Sequence, residues 1–216
     1  MPFPLSDTER RGEVMYEAFY GMNHTPFAKD IPADRLFESK QVQDALGRMK
    51  YAADRKQFAV VTGDPGCGKS TLIRLFESTL PRDRYTLLYV SDSQLTPRWL
   101  YSGLLGQLGI KAHFYRGEAK RQLQKAMESL REEQKKDVVC VLDEAHLLER
   151  ETLEEFRFLL NSEFDSASPL SLVLVGQTEL WDKLRMQRYI AITQRIDINI
   201  VLKPMDKSET GLYIRS

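Results

Sequence analysis

The chain has 216 residues, 42% of them hydrophobic, and its 31 lysines and arginines balance 31 aspartates and glutamates. That length and apolar content sustain one sizeable core with at most a small appendage. Zero net charge excludes global attraction as a reason to bind nucleic acid but leaves room for a local basic lining. The two cysteines, Cys67 and Cys140, lie in a glycine-rich stretch and an apolar run, so no disulfide framework is indicated and a reducing, cytoplasmic setting suits the chain. His24, His113 and His146 show no zinc-ligand spacing, no apolar run is long enough to span a bilayer, and the N-terminus lacks a signal-peptide pattern. The expected division is a tail over 1–14, a core over 15–204 and a further helical start over 205–216.

In chain order, residues 41–55 read as a helix, with Val42, Leu46, Met49 and Ala53 on one face. Residues 58–62 read as a buried strand. Gly63-Asp64-Pro65-Gly66-Cys67-Gly68-Lys69-Ser70 follows, then a helix from Thr71 to Leu80. Residues 85–90 form a second strand ending at Ser91-Asp92-Ser93. Thr96-Pro97 is an N-cap with proline at the first helical position, opening a helix that stops at Gly109. Leu100, Leu104, Leu105 and Leu108 should line its core face, with Trp99 beside them. A charged amphipathic helix is expected over 117–134, a strand over 138–142, a helix over 151–160, a strand over 170–177 and an alternating, edge-type strand over 196–202. Strands alternating with helices imply an α/β fold around a mostly parallel five-stranded sheet.

Two motifs carry chemistry. Gly63 to Ser70 fits G-x-x-x-x-G-K-[ST] between a strand and a helix, where glycines let backbone N–H groups converge on phosphate oxygens. Lys69 would reach the outer phosphates, Ser70 would ligate Mg²⁺, and Thr71 completes the loop. The apolar run 138–142 ends in Asp143-Glu144. An aspartate there suits the Mg²⁺ shell opposite Ser70, and the glutamate suits a general base for water. ATP with Mg²⁺ is the cofactor these residues imply.

This constellation resembles the AAA+ P-loop ATPases, and within them the ExeA-like group. The residues that carry the likeness are the glycine loop, Asp143-Glu144-Ala145-His146-Leu147-Leu148, Leu174-Val175-Gly176-Gln177-Thr178-Glu179-Leu180 and Gln194-Arg195-Ile196, with Phe19-Tyr20-Gly21-Met22 and Pro26-Phe27 upstream. The resemblance implies a three-layer sandwich with most of its helical lid missing after residue 204. It implies a polar sensor at Gln177 and an arginine finger at Arg195 acting on a neighbouring subunit in a ring or filament. Arg185 and Arg188 compete for the finger role, and Phe27, Ile31 and Phe37 would cover the adenine. Asp143 to His146 also spells the DEAH helicase motif, but the chain has no room for the second lobe that such helicases need.

ExeA-like domains divide between assembly of secretion machinery at the envelope and transposon helper ATPases of the IstB and TnsC kind. The latter assemble on duplex DNA and present it to a transposase. The whole-chain likeness favours the second. On that reading Gln94, Thr96 and Arg98 after the second strand would follow the DNA backbone. Arg116 and Lys120, in a cluster with Lys111, His113, Arg121 and Lys125 and interleaved with Phe114 and Tyr115, would add phosphate contacts.

Overall fold

The computed structural model describes residues 31–92, 95–160 and 168–215, with Gly21 and Ala28. The first fourteen residues, Phe27 and Gln94 lie outside them. Residues 1–36 form a unit of their own, and its described residues include one 3-10 turn, Ala33–Arg35.

The second unit, from Phe37 onward, is built on five strands. They are β1 (Phe58–Gly63), β2 (Tyr85–Val90), β3 (Asp137–Leu142), β4 (Leu170–Gly176) and β5 (Ile198–Leu202). Their order across the sheet is β2-β3-β4-β1-β5, and every pairing is parallel. The expectation of a mostly parallel sheet is met in full. The helices are α1 (Lys40–Arg55), α2 (Lys69–Thr79), α3 (Pro97–Gln107), α4 (Arg116–Glu132), α5 (Arg150–Leu159), α6 (Thr178–Arg185), α7 (Ile190–Thr193) and α8 (Lys207–Arg215).

Strand pleating explains the layers. Phe58, Val60, Val138, Cys140, Leu142, Leu170, Leu172 and Leu174 share one core with Leu100, Leu104 and Leu105 of α3, Leu123 of α4 and Phe156 of α5. The alternate positions Ala59, Val61, Val139, Val141, Val173 and Val175 are equally buried and face the other way. There α1 packs on β1, β4 and β5, and α2 packs on α1 and β1. Buried this way, the Cys140 thiol is pushed up to about 12 and is chemically quiet.

The local signals act as read. Thr96 Oγ1 accepts from Trp99 N, Pro97 takes the first helical position, and Ser39 caps α1 by accepting from Val42 N. Three details differ. Trp99 does not join the leucine stripe and is 59% exposed. The fifth strand starts at Ile198 rather than Ile196, because Asp197 closes the ladder: its carboxylate accepts from Phe58 N and its own N–H donates to Phe58 O, both at 2.9 Å. Helices α6 and α7 and the 3-10 turns Ala145–Leu147 and Gln187–Tyr189 were not anticipated.

Both edges of the sheet are closed by a glutamine acting as a short strand. Gln107 donates to Tyr89 O at 2.7 Å and accepts from Tyr89 N at 2.8 Å. Gln41 does the same to Lys203 O and N, each at 2.9 Å, and Arg48 donates to Asn199 O at 2.7 Å. These side chains occupy edge groups that would otherwise be open to another chain. Gln107→Ala is expected to cost about 1 kcal/mol in a urea melt and to speed amide exchange at Tyr89; unchanged exchange there would show that the amide pair does not protect the edge.

Candidate nucleotide-binding site

The parallel register gathers the chemistry. Thr62 pairs with Gly176 and Leu142 with Leu174, so the residues leaving β1, β3 and β4 emerge at one edge of the sheet. Those residues are Gly63 to Ser70, Asp143-Glu144 and Gln177. The carboxyl edge of a parallel sheet is where ligands bind in open α/β folds.

The glycine loop has the backbone such binding needs. Gly66 and Gly68 sit at φ of +84° and +86°, in the left-handed region, and Gly68 is the N-cap of α2. Gly63 is required for another reason: a Cβ there would stand 2.7 Å from Leu202 O. Lys69 Nζ donates to Gly63 O at 2.7 Å and Asp64 O at 3.0 Å, which keeps the ammonium at the loop. Ser70 is exposed beside it and Thr71 half-buried at the start of α2. Asp64 Oδ1 accepts from Thr178 Oγ1 at 2.6 Å, joining the loop to the start of α6.

Asp143 is buried to 8% exposure, with Oδ1 accepting from Glu144 N at 2.8 Å and Oδ2 accepting from the Tyr89 hydroxyl at 3.0 Å. Burial, then the Asp143 carboxylate, raises the tyrosine's pKa, so the hydroxyl stays a donor. Glu144 follows at φ 52°, a rare conformation for a residue with a side chain. The turn after it is pinned from α6. Lys183 Nζ donates to Leu148 O at 2.6 Å and His146 O at 3.3 Å, and burial lowers its pKa. Among the described residues no group of three His, Cys, Asp or Glu could hold a metal ion unaided. Mg²⁺ takes few protein ligands and completes its shell from phosphates and water. Ser70 and Asp143 would be those ligands, and the loop N–H groups with Lys69 would hold the phosphates of ATP.

Arg195 lies at the other end of the sheet. It precedes Ile198, which pairs with Ala59 near the start of β1, whereas the loop leaves the end of β1. Arg188 stacks on Tyr189 at 5.1 Å, and both Arg188 and Arg185 are exposed. Phe37 packs its ring on Tyr213, 5.5 Å between centroids.

The structure divides the expected DNA-contact residues. Arg116 is bound to the buried Glu155 at 3.2 Å, and Glu155 also accepts from the Tyr101 hydroxyl at 2.5 Å. Lys120 lies 3.8 Å over the Phe158 ring, and burial lowers its pKa. In this structure each of the two cations thus has a partner on α5. Thr96 is used as the cap of α3. Arg98 differs. Its guanidinium stacks 4.1 Å over Phe114 and 5.8 Å from Trp99, and with Lys111, His113 and Ser102 it lines an open cleft of 490 Å³.

Sequence reasoning missed Tyr89, Thr178 and Lys183. Each acts through a neighbour that only the strand order supplies.

Residues 52–184 match the family model described as an AAA domain, more than half of the chain. The chain belongs to the AAA family of P-loop ATPases. It is 29% identical over 209 residues to General secretion pathway protein A of Aeromonas hydrophila, covering 93% of this chain and 37% of that protein. It is 26% identical over 151 residues to the ATP-dependent target DNA activator B of Escherichia phage Mu, covering 69% and 44%. The AAA domain described here thus spans less than half the length of these relatives. Among solved structures it resembles Cdc6p from Pyrobaculum aerophilum (TM-score 0.62, 18% identity, 87% of this chain and 52% of that one). It also resembles the Aeropyrum pernix ORC2 protein in its ADPNP–ADP complexes (0.59, 17%, 89% and 53%). Those likenesses establish the fold.

The two cysteines give a direct test of the loop. Cys67 is partly exposed in it, while Cys140 is fully buried. A maleimide should label one thiol quickly, and Mg·ATP should slow that labelling. Equal labelling with and without nucleotide would place ATP elsewhere.

Proposed function

We propose that this AAA domain hydrolyses ATP with Mg²⁺ and works in the cytoplasm as a ring or filament on duplex DNA, presenting that DNA to a transposase. The observation that carries the enzymatic part is the single sheet edge shared by Lys69, Ser70, Asp143, Glu144 and Gln177. ATP supplies the phosphoanhydride bond that water attacks. Asp64 to Thr71 bind and orient the phosphates through backbone N–H groups and Lys69. Glu144 takes the proton of water, and Gln177 at the end of β4 is placed to position it. The charge that develops on the phosphates needs a further cation, and Arg195 from a second copy would provide it. Met186 and Ile190, exposed and adjacent in sequence to Arg185 and Arg188, would suit burial against that copy.

Glu144→Gln should bind ATP as wild type does and lose turnover, because an amide cannot accept the proton. Arg195→Ala should lower turnover by roughly 10³-fold with ATP binding intact. Mixing it with Lys69→Ala protein should restore part of the activity, since each mutant supplies what the other lacks. No recovery in an assembled mixture would rule out a finger acting between subunits.

For the DNA reading, the support is the Arg98, Lys111, Trp99 and Phe114 cleft together with the likeness to the Mu activator. A neutral subunit offers few such contacts, so affinity should come from repetition along an oligomer and fall steeply with salt. Arg98→Glu with Lys111→Glu should abolish retention of duplex DNA by the full-length protein in a slowly hydrolysed ATP analogue and leave ATP binding unchanged. The second reading, an ATPase assisting secretion-system assembly at the envelope, is favoured by one observation. The likeness to General secretion pathway protein A covers 93% of the chain, against 69% for the Mu activator. Oligomers that form with ATP yet retain no DNA at low salt would select it.

A further inference from the structure

Three large rings stand at the surface around the start of α3. Trp99, Phe114 and Tyr115 are 59%, 67% and 68% exposed, and rings so exposed in one place mark a surface that meets a partner. Trp99 and Phe114 belong to the 490 Å³ cleft. One wall of it is the first turns of α3, where Arg98, Trp99 and Ser102 share a face at helical spacing. The other wall is the connection from α3 to α4, which carries Lys111, His113 and Phe114. That connection is held in place. Gln122 Nε2 of α4 donates to Lys111 O at 3.0 Å, its Oε1 accepts from His113 N at 3.1 Å, and Ile110 and Ala112 pack on the core. The cleft is therefore preformed, and the exposure of its rings is part of its shape.

The lining mixes flat faces with positive charge. The Arg98 guanidinium lies 4.1 Å over the Phe114 ring, and Tyr115 meets Phe114 edge-on with centroids 5.5 Å apart. Among the described residues no carboxylate lines the cleft, and Glu118 approaches it only at His113, 3.9 Å from Nδ1. Lys111 and Arg98 therefore set its charge. A paired duplex would offer this surface its phosphates alone, because stacking covers its base faces. A single strand carries one phosphate and one flat base in every repeat, and its bases stack on aromatic rings and guanidinium planes alike. We propose that this cleft binds unpaired DNA, stacking a base against the faces of Trp99, Phe114 and Arg98 while Lys111 meets the phosphate.

The inference rests on the reading that this cleft meets DNA, and it goes beyond that reading. Phosphate contacts serve any DNA, whereas the rings add affinity only where bases are free of pairing. Arg98 holds both parts in one side chain, a charge and a plane. Lysine in its place keeps the charge and loses the plane. Stacking releases no counterions, so binding of a single strand should survive moderate salt better than binding of a duplex.

The test uses the whole chain with Mg²⁺ and a slowly hydrolysed ATP analogue, and three probes of one length: an oligothymidylate, a duplex, and an abasic strand that keeps the phosphates and lacks the bases. Trp99 is one of two tryptophans, and the other, Trp181, packs half-buried against the core. Base stacking is therefore read as quenched emission that disappears in Trp99→Phe, which keeps a ring. The oligothymidylate should quench and the abasic strand should not. Phe114→Ala should weaken oligothymidylate binding by roughly tenfold, and Phe114→Tyr should restore it. Arg98→Lys should weaken it too, while duplex binding stays within about twofold of wild type. Equal affinity for the oligothymidylate and the abasic strand overturns the proposal. Duplex retained with no quenching by the oligothymidylate also overturns it and leaves the duplex reading standing. Quenching with no duplex retained supports the proposal and refutes that reading, and binding of none of the probes refutes both. Oligomers that shrink in Phe114→Ala before DNA is added would assign the rings to a second copy and overturn the proposal.

Discussion

Everything at the site depends on the parallel register of β1, β3 and β4. Parallel strands must all end at the same edge, so one phosphate loop, one acidic pair and one polar strand end come together without any contact between their side chains being required to bring them there. The interior of these strands is almost wholly aliphatic because both faces are covered, and that burial fixes the register. The chemistry sits where the apolar runs stop. The same register sends Arg195 to the opposite edge.

Irregular segments around this edge are held by a few buried polar side chains. Thr152 Oγ1 donates to Leu95 O at 2.7 Å, fixing the chain after β2, and Glu155, one turn further along α5, gathers Tyr101 of α3 and Arg116 of α4. Both lie on the helix that directly follows the acidic turn. Desolvation, then the bond to Glu155, pushes the Tyr101 hydroxyl far above its usual range, so that it remains a donor. Removing the Glu155 carboxylate would strand Arg116 and Tyr101 together, which is why such a group is costly to lose even though the pair gains little over an apolar replacement.

The fold was legible in the sequence where strands are contiguous apolar runs and helices have a readable start or an apolar face. Phe58 to Gly63, Tyr85 to Val90 and Asp137 to Leu142 were expected to within a residue, and the Thr96-Pro97 cap to the residue. The loop and the Asp143-Glu144 pair were legible because their spacing is set by local geometry. What could not be read depends on strand order. Tyr89 meets Asp143 only because β2 lies beside β3, and Thr178 meets Asp64 only because β4 lies beside β1. The basic residues of α4 looked alike in sequence. Arg116 and Lys120 proved to be tied to Glu155 and Phe158, partners 38 or more positions away, while Arg98 was left to stack on exposed rings.

Glu144 combines these levels. A side-chain-bearing residue at positive φ costs on the order of 1 kcal/mol or more and persists only where surrounding contacts over-determine it. Here its N–H is bound by the Asp143 carboxylate and the next turn is clamped by Lys183. The conformation turns Glu144 out of the strand direction while Asp143 stays buried. Two adjacent carboxylates therefore face different surroundings, one buried and hydrogen-bonded at both oxygens, the other with a side chain 44% exposed. That difference follows from one left-handed residue ahead of a turn clamped by a lysine of α6.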